Sequence, residues 1–245
     1  MKTIKVTDII ERYNSIIKES LSFNYLLRDS DLQKEQIEIL ENFRKEVKFY
    51  KYQFIEQKKE TLSNTLFHFQ CVINALKSNL ELWIFIKEQN YDGAWKKLVD
   101  AQEYLEVAYR IDGDHYGIDD LFNDLLQIEK LIFPGWPLYN SSGFVEKGGK
   151  CSICEEKYGE CEHLEGFVYM GRLCRRIERE FVRFDHSALV KNPYDRRCII
   201  QWISTEDGKK RDYITWKVTD EDVSGENGGM TMGSILFNMD VLDFD

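Results

Sequence analysis

The sequence predicts an α+β protein: an N-terminal antiparallel helical bundle followed by a small β-rich C-terminal domain with a zinc knuckle. Three observations carry this. Apolar residues recur with a period near 3.6 through the first 133 positions. Runs rich in Ile, Trp, Thr and Val dominate the end of the chain. Between them, "CSICEEKYGECEH" (151–163) places three cysteines and a histidine within thirteen residues.

The first helix is expected from Thr7 and Asp8, with Asp8 and Glu11 as a capping box. Its apolar face is Ile9, Ile10, Tyr13, Ile16, Ile17 and Leu21. Ser30 with Gln33 reads as a second capping box, opening a long helix through Ile37, Leu40, Phe43, Val47, Tyr50 and Phe54. A third helix spans about Leu62 to Lys87, and its Cys71 reads as a buried thiol. In the fourth, Ala94, Leu98, Ala101, Leu105 and Ala108 make a narrow face that permits close packing. A fifth runs from Ile118 to Leu131, and "FPGWP" stops it because Pro134 and Pro137 cannot continue a helix. Short connections between such elements favour an antiparallel bundle.

"PLYNSSGFVEKGGK" (137–150) lacks helical period and reads as the boundary, giving domains at 1–135 and 136–245. Beyond it, "RCIIQWIS" and "RDYITWKVT" read as strands joined through an Asp207-Gly208 turn, and "MTMGSILFNMDVLDFD" as the source of a last strand. Residues 172–190 fit either a helix or a charged strand, with strand favoured from Phe181 onward.

Cys151 and Cys154 have the C-x2-C spacing with which two thiolates grip one ion, and Cys161 and His163 complete a tetrahedral donor set. Cys174 is a fifth candidate. A rival set swaps His163, or Cys161, for Cys174, which would make a treble-clef-like unit. Four protein ligands leave no open position, so one structural Zn2+ is the expectation and no catalytic residue is assigned. A thioredoxin-like redox reading of C-x-x-C lacks its strand-to-helix context. No H-E-x-x-H, P-loop, dinucleotide fingerprint or G-x-S-x-G pattern occurs.

Composition excludes other classes. Lys and Arg number 33 against 43 Asp and Glu, a net charge of −10, which disfavours non-specific nucleic-acid binding. The exception is local: Arg172, Arg175, Arg176, Arg179 and Arg183 could together meet an anion or a nucleic-acid backbone, with Trp202 or Trp216 for stacking. Glu178 and Glu180 are interleaved with them, which favours a solvated or ion-paired face. No apolar run is long enough to span a bilayer, and the first residues carry no export signal, so a cytoplasmic location is expected. "DGDHYGIDD" (112–120) lacks the twelfth-position Glu of an EF-hand and reads as an acidic loop. His68 and His115 read as packing or surface residues, while Asp185 and His186 are a candidate outer pair supporting the zinc site.

Cys151, Cys154, Tyr158, Cys161, His163, Gly166, Tyr169, Gly171 and Cys174, with Ser187, Val190, Pro193 and Cys198 after them, resemble a cysteine–histidine module of phage prohead-type proteins and of uncharacterised bacterial mobile-element proteins. The resemblance covers about 50 residues of the 245 and departs at Glu155, where the module usually has Gly. It implies a metal-stabilised β-rich module and a phage or phage-defence setting, and it implies no chemistry. The expected function is non-enzymatic recognition of another protein, with the bundle as a second contact surface or a homo-oligomer interface. Nucleic-acid binding and a zinc-dependent hydrolase are the alternatives.

Overall fold

A computed structural model describes residues 6–112, 118–225, 229–238 and 242–244. Among these described residues, five helices come first: α1 (Val6–Leu21), α2 (Ser30–Glu56), α3 (Glu60–Lys87), α4 (Tyr91–Asp112) and α5 (Ile118–Ile132). Eight described strands follow: β1 (Tyr139–Cys151), β2 (Val168–Tyr169), β3 (Arg172–Leu173), β4 (Arg176–Val190), β5 (Ile200–Ser204), β6 (Lys209–Asp212), β7 (Val218–Asp222) and β8 (Met232–Ser234). The α+β class holds, and no described helix is long and apolar enough to cross a membrane.

The chain forms two compact units, Met1–Leu126 with Gly148–Arg179 and Leu242–Asp245, and Gln127–Lys147 with Glu180–Val241. This division departs from the 135/136 boundary expected from composition. The Cys/His segment belongs to the same unit as α1–α4, whereas α5 from Gln127 onward goes with the late strands.

In the first unit, α3 is the central element and packs against α2 and α4. It is buried nearly all round, through Leu66, Phe67, Phe69, Ile73, Leu76 and Leu80, which suits a helix enclosed by others. Tyr13 of α1 stacks on Phe69 with ring centroids 3.8 Å apart. His68 is buried as a packing residue, its Nδ1 3.1 Å from the Ala108 carbonyl oxygen. Cys71 is buried as expected, and burial pushes its thiol pKa up.

Both capping boxes are displaced. α1 begins at Val6, so Asp8 lies inside the first turn, where a carboxylate still favours the helix dipole. The α2 cap is Asp29, one residue before Ser30, accepting from the amides of Asp31 and Leu32. Gln33 turns inward instead, and its Nε2 donates to the carbonyls of Phe23 and Tyr25. His115 and most of the acidic 112–120 loop lie outside the described residues.

In the second unit, a four-stranded sheet has the order β7-β6-β5-β8, antiparallel throughout. The turn expected at Asp207-Gly208 joins β5 to β6, with Gly208 at φ +76°. "RDYITWKVT" is not one strand. Asp212 caps a turn by accepting from the amides of Ile214 and Thr215, and β7 starts only at Val218. Trp136 is buried, and its Nε1 donates to the Ile200 carbonyl. The "PLYNSSGFVEKGGK" stretch is strand β1 rather than a linker, paired with β4, which already begins at Arg176. Phe144 on β1 packs edge-on against Phe181, Phe184 and Phe237, which is why so polar a stretch is ordered here.

Candidate metal centre

The knuckle is shaped by the backbone before any ion is considered. The Glu155 amide donates to the Cys151 carbonyl, and the Cys151 amide to the Glu156 carbonyl, closing a tight loop around Cys154. The Ile153 amide points at the Cys151 sulfur, 3.4 Å away. Glu155 has φ +63°, the left-handed region that glycine enters without cost and other residues rarely adopt.

The second half of the site hangs on β2 and β3. The Cys174 amide donates to the Phe167 carbonyl, and the Gly166 amide to the Cys174 carbonyl. The His163 ring meets Tyr169 edge-on at 4.6 Å, and the Tyr169 hydroxyl accepts from the Leu164 amide. Tyr169 thus positions the histidine loop, a role that spacing in the sequence did not indicate. Gly171, at φ +68°, lets the β2–β3 turn lie against α3: a Cβ there would meet the Ser63 carbonyl oxygen at 2.7 Å. The Gly171 amide donates to Asn64 Oδ1 at 2.6 Å, which ties the turn to the helix.

Held in this way, one ligand atom each from Cys151, Cys154, Cys161 and His163 converge within 4.8 Å of one another. This is the set preferred from spacing. It fits a metal ion on the chemistry of its donors, three sulfurs and one nitrogen. A further observation agrees: His163 Nδ1 is buried without a hydrogen-bond partner, a condition that buried polar atoms seldom tolerate. Cys174 lies outside the convergent group, although its sulfur is 3.7 Å from that of Cys151 and both are fully buried. Burial opposes ionisation of Cys151, yet the amides and thiols around it outweigh burial and hold its pKa down. The Cys174 thiol is pushed up, first by burial and then by the neighbouring Cys151.

The arginines are dispersed among separate partners. Arg172 reaches the Ile153 carbonyl, and Arg176 the Gly148 carbonyl. Arg175 donates to the Leu242 carbonyl at 3.1 Å, and Arg183 pairs with Asp185 at 2.8 Å. Lys150 pairs with Glu178 at 2.6 Å. Arg172, Arg175, Arg176 and Arg179 belong to the first unit and Arg183 to the second. Asp185 and His186 are also in the second unit, bonded to each other at 3.1 Å.

Comparison of the chain with protein-family models, curated proteins and solved structures returns no match.

Proposed function

We propose that this chain is a non-enzymatic recognition protein whose Cys/His segment is stabilised by one structural Zn2+ on Cys151, Cys154, Cys161 and His163, and that it contacts another protein. The carrying observation is the convergence of four protein donors within 4.8 Å, a number that fills a tetrahedral zinc and leaves no place for a reacting water. Zinc suits three thiolates and an imidazole better than the harder divalent ions, which prefer oxygen. The arginines support recognition of a protein over nucleic acid, because Arg172, Arg175 and Arg176 are spent on carbonyls of the chain itself. A phage or phage-defence setting rests on the module resemblance alone.

Metal analysis and X-ray absorption on the purified full chain test this reading. The expected result is one zinc per chain, with three sulfur neighbours, one nitrogen and no water oxygen. A water in the coordination sphere would favour the hydrolase alternative. Absence of stoichiometric metal, with the fold intact in a strong chelator, would overturn the structural-zinc reading. Retention on DNA or RNA at low salt, weakened by Arg175→Ala with Arg176→Ala, would revive the nucleic-acid reading.

A further inference from the structure

The last described residues, Leu242, Asp243 and Phe244, are held on the first unit by side chains from three helices and the Cys/His segment. Main chain and side chain are both recognised. The Asp243 amide donates to the Tyr104 hydroxyl of α4 at 2.9 Å, and Asn74 Nδ2 of α3 donates to the Asp243 carbonyl at 2.8 Å. The Asp243 carboxylate pairs with Arg44 of α2 at 2.8 Å. Arg175 donates to the Leu242 carbonyl and lies over the Phe244 ring, 4.6 Å from its centroid. That ring also meets Tyr104 at 5.1 Å and Phe67 at 6.3 Å.

The receiving groups belong to the body of the unit. Phe67, Asn74 and Tyr104 are buried, and the Arg44 side chain is only 12% exposed, whereas the Asp243 side chain is 54% exposed. Arg44 is anchored independently by Glu41 at 2.9 Å, so its guanidinium is already oriented when the aspartate arrives. Side chains that bond both backbone groups of one residue, beside a cation for its carboxylate and an aromatic box for its neighbour, constitute a peptide-reading surface.

We propose that this cleft is a recognition site for an extended apolar–Asp–aromatic peptide of a partner protein, and that residues 242–244 are its intramolecular occupant, which the partner's segment displaces. The proposal rests on the recognition reading above and gives it a surface and a ligand chemistry. The tail itself supplies the chemistry: an aspartate for Arg44 and a ring for the box formed by Arg175, Tyr104 and Phe67. Tethering raises the tail's effective concentration to the order of millimolar, so the chain alone is self-occluded, and only a ligand of matching chemistry competes.

The test uses the full chain and a fluorescein-labelled peptide with the sequence of residues 238–245, NMDVLDFD. Anisotropy is read against wild type and against a tail-disabled variant, Asp243→Ala with Phe244→Ala. The tail-disabled chain is expected to bind saturably with Kd on the order of 1–100 μM, about ten- to a hundredfold tighter than wild type. Arg44→Glu in that background is expected to weaken binding at least about tenfold, and a scrambled peptide not to bind. No saturable binding to a folded tail-disabled chain, or equal binding of the scrambled peptide, overturns the proposal and leaves the tail a structural clasp. If the variant does not fold, wild type carrying fluorinated Phe244 takes its place. Displacement of the ring signal by excess peptide supports the proposal, and an unmoved signal overturns it. Peptide binding by freshly isolated, folded chain that holds no metal would sink the structural-zinc reading and leave the cleft standing; a zinc-loaded, folded tail-disabled chain deaf to the peptide would do the reverse.

Discussion

Glu155 shows how one residue can carry a local conflict. Its backbone occupies the left-handed region, at a cost of about 1 kcal/mol for a residue with a Cβ. Glu155→Gly removes that cost and loses part of the gain to greater freedom in the unfolded chain. The expected net effect is neutral to about 0.5 kcal/mol stabilising, read as a rise in urea midpoint, with metal stoichiometry unchanged. Glu41 makes the opposite case, a residue over-supplied with partners. Burial alone would raise its pKa, but Arg44 and Lys77 bring it down to about 2. A carboxylate depressed in the folded state stabilises fully above its unfolded pKa, about 4.3, and the contribution disappears as pH falls towards 2. With its side chain 24% exposed, Glu41 is expected to contribute on the order of 2–3 kcal/mol at neutral pH. Urea titrations from pH 6 to pH 2 check this: wild type should lose that increment across the acid limb, and Glu41→Gln should lack it at every pH.

Elements were legible from the sequence in proportion to how local their causes are. All five described helices follow from apolar period and stop signals, and α3 and α5 begin and end within two residues of expectation. Strand β1 was illegible because its order comes from pairing with β4 and from Phe144 meeting Phe181, Phe184 and Phe237, partners 37 or more positions away. The convergence of the candidate metal ligands was legible because C-x2-C and C-x-H place donors by spacing alone. What spacing left open was Cys174, since a residue brought back by a β2–β3 hairpin has no fixed distance from the knuckle. The convergence of His163 rather than Cys174 carries a direct consequence. Cys154→Ser, Cys161→Ser and His163→Ala should each drop bound zinc well below one per chain, while Cys174→Ala should keep it, as measured by metal analysis after gel filtration. The tail contacts had no sequence signal at all, because Arg44, Asn74, Tyr104 and Arg175 are gathered only by the packing of the unit.

At the scale of the molecule, the division into units changes which part would depend on the proposed metal. The Cys/His segment shares its unit with the helices, through Gly171 on Ser63 and Asn64 and through Arg110 on the Gly166 carbonyl. Chelation is therefore expected to raise amide exchange across residues 148–179 first, with α3 amides opening last, as hydrogen-exchange mass spectrometry would show. One joint within that unit has a longer reach. Ser152, next to the candidate ligand Cys151, donates its amide to the Arg175 carbonyl and accepts the Arg175 amide on its hydroxyl, both at 2.9 Å. Arg175 in turn grips Leu242 and covers Phe244. With the proposed zinc in place, a two-way latch of this kind makes the two ends reciprocal: whatever factor the cation adds to the hold on the aspartate–phenylalanine segment, that segment must return to the cation. The expected consequence is that zinc affinity changes when residues 242–244 are displaced.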